Sequence, residues 1–344
     1  MDKSQKKKIF WMCFSLVLSL LTIWAVLRQS EDMSINDLIN IVIHADKRWM
    51  LLAFLSAGCY IVFEAIAICS ILKGLSYKRS LGKGLVYSTS DIYFSAITPS
   101  ATGGQPASAY FMHRDGIPAG VVSASLVLNL MMYNASIIAL GIIAIILAPK
   151  AFLGFRLSSK ILIVIGFIGL SVLTGFFFVV LKRGDKLFGV AEKLINFLYK
   201  KKIIHRVEHK IEKLHKIQND YDNCAIIMAG QSKILHKAFF WNIIQRASQI
   251  IVPTLVYLSL GGEKISSKVL FSKQCLITIG YNYVPIPGAM GISDFLMIDG
   301  FSKLMTRAQA FQLDMISRGI TFYICVAVSG IVTLVGYLIG RKKK

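Results

Sequence analysis

Charge is scarce in this chain, and acidic charge is scarcest: 17% of its 344 residues are charged, with 18 Asp and Glu against 39 Lys and Arg. Soluble domains run about 25% charged and about 45–50% apolar, whereas 55% of this chain is apolar. Only seven prolines and six cysteines are present. These deficits exclude an ordinary cytosolic enzyme, a collagen-like or disordered chain, and a small disulfide scaffold. Cys13, Cys59, Cys69, Cys224, Cys275 and Cys325 are scattered, no pair having metal-ligand spacing, so they read as small buried hydrophobes. A P-loop, a dinucleotide fingerprint, a nucleophile elbow and an HExxH pair are all absent. No motif therefore supports ATP-driven transport by this chain, and neither a cofactor nor a metal is expected.

What the chain has instead is apolar length. Runs such as 9–27 and 161–181 carry no formal charge. A membrane span needs about 20 apolar residues, so these runs are transmembrane helices rather than core helices. A net charge of +21 would suggest nucleic acid in a soluble protein. Here the basic residues lie between apolar runs, where they report topology and contact with anionic lipid, and no nucleic-acid partner is expected. The basic start Met1–Lys8 followed by an apolar run imitates a secretory signal. The run is too long for one and no small-residue cleavage pattern follows, so it reads as a first span that stays.

Six uninterrupted spans emerge, at about 9–27, 49–72, 120–147, 161–181, 238–260 and 313–340. Two more apolar stretches, 85–112 and 269–300, are interrupted by Pro and Gly. Lys73, Lys78, Arg79 and Lys83 follow the second span, thirteen basic residues lie between Lys182 and Lys237, and Arg341–Lys344 close the chain. Segment 28–48 is the acidic one, with Glu31, Asp32, Asp37 and Asp46. The basic loops are inside, so both termini are cytoplasmic in a multi-pass protein of the plasma membrane. Six full spans with both ends inside require each broken stretch to return to the side it entered, the first from the cytoplasm and the second from outside. Two kinked crossings would leave the termini unchanged and remain the alternative. The expected architecture is an all-α integral membrane protein, a single domain over 1–344. Residues 1–181 form a first half with hairpin 85–112, and 238–344 a second half with hairpin 269–300, as an inverted repeat.

Between the halves, residues 182–237 show Leu187, Ala191, Leu194, Ile195 and Leu198, then Ile203, Val207, Ile211 and Leu214, at helical spacing. With charges on the opposite face, they read as two amphipathic helices on the anionic inner leaflet. The segment is too short for a catalytic domain. Residues 34–44 read as a short outer interfacial helix.

The chemistry concentrates in the breaks. In the first, a half-helix holding Asp91 ends near Thr98 and Pro99, since a residue before proline avoids helical geometry. Thr102, Gly103, Gly104 and Gln105 follow, and Pro106 suits the first position of a new helix. A helix N-terminus opening at membrane depth is an anion site, and a lipid phosphate is the natural anion there. A structural kink satisfied by neighbouring helices is the bland alternative. In the second break, Pro285 and Pro287 stop one half-helix, Gly288 and Gly291 allow the turn, and Asp294 falls in the next helix's first turn. Asp294 is there either as a cap or as an intramembrane functional carboxylate. Glu64, Arg246 and Arg318 fall inside spans and His113 at an inner edge. Arg246 and Arg318 either pair internally, with Asp294 or Glu64, or grip a phosphate. Asn129, Asn134 and Gln245 are expected to make interhelical hydrogen bonds.

Both breaks carry a resemblance. The run Ser95-Ala96-Ile97-Thr98-Pro99-Ser100-Ala101-Thr102-Gly103-Gly104-Gln105-Pro106, with Asp115-Gly116 after it, resembles the first signature of the lysylphosphatidylglycerol synthase transmembrane-region family. Val284-Pro285-Ile286-Pro287-Gly288-Ala289-Met290-Gly291 is similar to the second. The family is flippase-like and related to the N-terminal half of the bacterial multiple peptide resistance factor. The resemblance implies a polytopic protein that moves anionic or aminoacylated lipid, of phosphatidylglycerol or lysyl-phosphatidylglycerol type, between leaflets. Two departures stand out: Gly288-Ala289 where many members have Gly-Gly, and Asp294 where they have Glu. No segment corresponds to the synthase's aminoacyl-transferase domain, so a lysyltransferase label would follow from the family name alone. A lipid-modifying enzyme using Asp91, Asp294 and His113, or a subunit of a separate synthase, are the competing readings, and self-association stays open. If the topology holds, cysteines introduced beside Asp115 should be labelled by an impermeant maleimide only from the cytoplasm, and those beside Lys303 only from outside. Labelling beside Asp115 from outside would overturn the first hairpin's re-entry.

Overall fold

The computed structural model describes residues 35–98, 102–200, 207–284 and 291–341. The expected span 9–27 lies outside the described residues, as do Pro99, Pro285, Pro287, Gly288, Ile203 and Lys342–Lys344. So do the side chains of Leu187, Leu194, Leu198 and Val207. Among the described residues every regular element is helical. Among the described residues four helices are long and apolar enough to cross a membrane: Lys47–Gly74, Ala119–Leu147, Leu157–Lys182 and the composite Arg307–Gly340.

A short helix α1 (Ile35–His44) leads into α2 (Lys47–Gly74), whose N-cap Asp46 accepts from Arg48 N at 2.8 Å. Twenty-eight residues reach about 42 Å, more than the roughly 30 Å hydrocarbon core. The interrupted stretch 85–112 forms α3 (Leu81–Ile97) and α4 (Gly104–Arg114), followed by α5 (Ala119–Leu147), a single turn α6 (Lys150–Leu153) and α7 (Leu157–Lys182). The basic segment forms α8 (Gly184–Lys200) and α9 (Val207–Gly230).

The run 238–260, read from sequence as one span, is two helices, α10 (Ser232–Ile250) and α11 (Val252–Ser259). Pro253 sits in the first turn of α11, where its ring would clash with a carbonyl if the preceding helix continued. After α12 (Lys264–Asn282) and α13 (Ile292–Phe301), the run 313–340 is also compound. It consists of α14 (Arg307–Arg318), a π-helical stretch at Gly319–Ile324 and α15 (Cys325–Arg341). Such wide turns gather at functional sites.

Both broken stretches double back on themselves. Near the first break Gln105 Nε2 donates to Asp91 Oδ2 at 2.8 Å, and at its base the Tyr87 hydroxyl donates to Asp115 Oδ2 at 2.5 Å. Near the second break Gly280 lies against Leu296, and at its base Lys273 Nζ donates to the Gly300 carbonyl. Each helix pair is thus an antiparallel hairpin.

The halves interlock by exchange. Hairpin α3–α4 packs on α15, hairpin α12–α13 packs on α5 and α7, and α2 packs on α10. Small residues make the close approach feasible: Gly330 and Gly336 of α15 receive Tyr93 and Val86, while Gly141 of α5 and Gly166 of α7 receive Ile279. The connecting loops sort into two groups. Asp46 N donates to Ser259 O at 2.8 Å and Arg156 pairs with Asp299 at 3.3 Å. Elsewhere Arg114 donates to Gly336 O at 3.1 Å and Tyr221 to Val180 O at 2.9 Å. The first pairs join segments assigned to one face by basic-residue counts, and the second join those assigned to the other.

The α8–α9 pair differs from a free interfacial hairpin. Tyr221, Cys224 and Met228 of α9 are buried, and Gly120 at the start of α5 lies against Ile217 and Tyr221. Burial, with Asp220 adding, pushes the Cys224 thiol up to about 11, so it is a protonated, unreactive thiol at neutral pH. On α8, Val190, Phe197 and Tyr199 stay exposed. Exposed apolar side chains also cover the long helices, among them Ile146, Val172 and Ile331, the surface lipid requires. Gly166→Leu should cost about 1–3 kcal/mol, because a side chain there meets the Ile279 carbonyl. A thermal-stability assay in detergent checks it, with Gly175→Leu on the same helix, which has open space, expected to be silent.

Candidate functional site

Two adjoining cavities of about 270 and 400 Å³ lie between the hairpins. Tyr60, Tyr133, Arg246, Gln249, Asn282 and Thr321 line both, making them two lobes of one polar chamber. Its size falls in the usual range for small-molecule sites, roughly 300–1,000 Å³.

One pole is the first break. Asp91 accepts from Ser95 Oγ at 3.2 Å and Gln105 Nε2 at 2.8 Å, and all three line the larger lobe. The carboxylate therefore crosses the hairpin and ties its two half-helices. Gly104 permits this contact, since a β-carbon there would collide with Asp91 and Ser95. Thr98 Oγ1 donates to Phe94 O at 2.6 Å and accepts from Gly103 N at 2.8 Å. Thr98, Thr102, Gly103 and Gly104 do not line the lobes, and the Thr98–Gly103 contact closes the break locally. The second half-helix starts at Gly104, so Pro106 is its third residue rather than its first. It still lies in the first turn, where no N–H partner is required.

The middle of the chamber belongs to Arg246, only 3% exposed. Its guanidinium lies 4.1 Å from the Tyr133 ring centroid and 4.9 Å from that of Tyr60. Nη1 donates to the Tyr133 hydroxyl at 3.1 Å and Gln249 Oε1 at 2.8 Å, and Nε is buried without a hydrogen-bond partner among the described residues. Among the described residues no carboxylate forms an ion pair with it within 4 Å. Two aromatic faces thus hold a cation with no carboxylate in direct contact among the described residues, a stabilisation of about 2 kcal/mol or more once desolvated. Glu64, buried on α2, accepts from Gln245 Nε2 at 3.1 Å and lines the same lobe as Asp91.

The other pole is the second break. Gly291, with φ of 83°, presents its N–H to Asp294 Oδ2 at 2.8 Å. Asp294 Oδ1 and Ser293 Oγ both accept from Arg318 Nη2, while Arg318 Nε is 4.0 Å from Asp314 Oδ1. Asp294 therefore caps α13 and pairs with Arg318 at once. Arg318 and Ser293 line the smaller lobe; Asp294 and Gly291 do not. His113, exposed at the base of the first hairpin, interacts with Ile117 O at 3.0 Å and lines neither lobe. Asp91, Asp294 and His113 are accordingly not brought together as an acid–base group. Among the described residues no cluster of three or more His, Cys, Asp or Glu could hold a metal ion.

Sequence reasoning missed several members of the site. Tyr60, Tyr133 and Asn282 are ordinary residues of apolar helices and carry no local signal. Asp314 does, four residues before Arg318 and hence on the same helix face. Lys273, buried at the base of the second hairpin over Phe155, lies outside both lobes. Of the expected interhelical amides, Asn129 accepts from Asn242 at 3.1 Å and Gln245 serves Glu64. Asn134 Nδ2 instead is buried without a partner among the described residues, on the larger lobe.

Helices long enough to span a bilayer, two broken hairpins and a chamber edged with charge define a multi-pass α-helical membrane protein with a polar site between its helices. The chain matches the family model described as lysylphosphatidylglycerol synthase TM region over residues 12–329, and it belongs to that family. Individually curated proteins provide no match. Membership makes it a membrane protein related to lipid handling. Arg318→Gln should leave Asp294 and Asp314 facing each other without their cation. The loss is expected to be about 3–5 kcal/mol, seen as a marked fall in folded yield by size-exclusion chromatography, which Asp294→Asn in the same background should partly restore.

Proposed function

We propose that this protein is a flippase or scramblase that moves an anionic phospholipid headgroup, of phosphatidylglycerol or aminoacylated phosphatidylglycerol type, between leaflets. The hairpins enter the membrane from opposite sides, 85–112 from the cytoplasm and 269–300 from outside. The headgroup crosses through the chamber between them while the acyl chains remain in lipid. Both termini are cytoplasmic, in the plasma membrane, and the α8–α9 segment rests on anionic inner-leaflet lipid through its basic residues and the exposed apolar side chains of α8.

The observation that carries this reading is Arg246. A buried guanidinium without an ion-pair partner is costly, and here it borders both lobes of the chamber with Nε unpartnered. Phosphate suits it, because a guanidinium binds two phosphate oxygens through parallel hydrogen bonds. Asn134 Nδ2, the other orphan donor in the larger lobe, offers a further contact. The second arginine differs: Arg318 is already engaged by Asp294 and Ser293. Its contribution is to hold the second hairpin in place, with phosphate contact secondary.

The substrate phosphate would approach with its negative charge partly screened by water and exchange that water for Arg246 and neighbouring amides. Glu64 and Asp91 on the same lobe keep the site from holding an anion too tightly, since a carrier must also release it. Reconstitution into vesicles with a fluorescent phosphatidylglycerol tests the reading. Arg246→Lys keeps the charge and loses the planar fork, and should slow leaflet exchange about tenfold or more, the effect of losing roughly 1.4 kcal/mol in the crossing step. Exchange at the wild-type rate per folded molecule in Arg246→Lys, or chemical alteration of the lipid, would overturn it.

A further inference from the structure

The chamber holds more carboxylates than guanidiniums. Glu64 and Asp91 line one lobe with Arg246, and Asp314 lines the other with Arg318, whose partner Asp294 lies just outside it. An unbalanced charge at membrane depth is expensive unless neutralised. At the first end both carboxylates accept a hydrogen bond from an amide, Gln245 or Gln105. At the second end the surplus falls on one group. Arg318 is committed to Asp294 and Ser293, leaving only a long 4.0 Å approach of its Nε to Asp314 Oδ1. Asp314 is 1% exposed, and among the described residues its Oδ2 has no hydrogen-bond partner. Gln274 Oε1 and Ser317 Oγ, in residues that line the same lobe, are likewise buried and unpartnered.

We propose that Asp314, with Asp294 beside it, is a site for one exchangeable proton, and that lipid movement through the chamber is coupled to its loading and release. A protonated Asp314 cancels the surplus negative charge. It also turns an orphan acceptor into a donor, with Asp294 to receive it. Two carboxyl groups beside one another share a proton more readily than both ionise. The surrounding elements supply few competing charges. Asp294 comes from α13, Arg318 from α14 itself, and Tyr323 from the π-helical stretch; Tyr281 of α12 is near Arg318, and Arg246 of α10 borders the same lobe. Lys273 of α12 is turned to Gly300 O, Tyr257 of α11 to Glu263 N, and His44 of α1 to Asn40 O.

The proton site stands on the charge count alone; its coupling rests on the lipid-transport reading. Two measurements on the full chain separate them. In lipid nanodiscs, pH-difference infrared spectra should show a carboxylic-acid C=O band growing on acidification. Asp314→Asn, which leaves a neutral Arg318–Asp294 pair and so should fold, should remove one component of it. No such band, or a band untouched by both Asp314→Asn and Asp294→Asn, overturns the site. In proteoliposomes with fluorescent phosphatidylglycerol, a transmembrane pH gradient should change the initial exchange rate several-fold, and Asp314→Asn should abolish that response. Exchange indifferent to the pH gradient, or following a sodium gradient instead, overturns the coupling. If no lipid moves while the band titrates, the transport reading and the coupling fall together and the proton site remains.

Discussion

A polypeptide inside a bilayer has no water to bond its broken helix ends or its charges, so every interruption must be repaired by the protein itself. In this chain the repair of the first interruption runs through Asp91, which accepts from Ser95 on its own half-helix and from Gln105 on the next. Gly104 is small enough to let that contact form. The second interruption is repaired by Asp294, which caps the returning helix at Gly291 and holds Arg318. The polar chamber follows from these two repairs, since it occupies the space that the broken backbones and their partners keep from being apolar.

The packing by exchange explains why the repairs are stable. Neither hairpin is anchored only within its own half. Helix α3 lies in glycine notches of α15, and α12 in notches of α5 and α7. Each half thereby completes the other, and the chamber wall is shared, with Arg246 from one half and Tyr60 and Tyr133 from the other. The two ends are nonetheless chemically unequal. The middle and the larger lobe offer donors, Arg246 Nε and Asn134 Nδ2, and the smaller lobe offers acceptors, Asp314 Oδ2 and Gln274 Oε1. An anion and a positive charge therefore find complementary partners at different places in one continuous space.

Much of this was legible in the amino-acid order. Apolar run length marked α2, α5 and α7 as spans, because a helix exposed to lipid must be apolar over its whole length. Pro and Gly marked both breaks, because they act through the backbone of their own and adjacent residues. The same local rules went astray where their evidence was weak. The run 238–260 looked continuous by hydropathy, yet Pro253 splits it. The compound run 313–340 hid a π-helical stretch, since no side-chain pattern distinguishes one extra residue per turn. The apolar face of α9 read as lipid-facing, but periodicity reveals that a face is buried and not what buries it.

What tertiary structure alone decided is partnership. Membrane-depth ionisable residues could be picked out one at a time, but their pairing depends on helices far apart in the chain. Gln245 meets Glu64 and Asn242 meets Asn129 across more than one hundred residues. Arg246 and Arg318 look equivalent as charges within apolar runs. Packing gives one of them a carboxylate and the other two tyrosine rings, and this difference separates a structural cation from one open to a ligand. Sequence determined where the membrane helices run and where they break, since those depend on the burial and backbone preferences of neighbouring residues. Which groups face one another across the chamber was left to the folded chain, because helix packing is set by surfaces contributed jointly by distant segments.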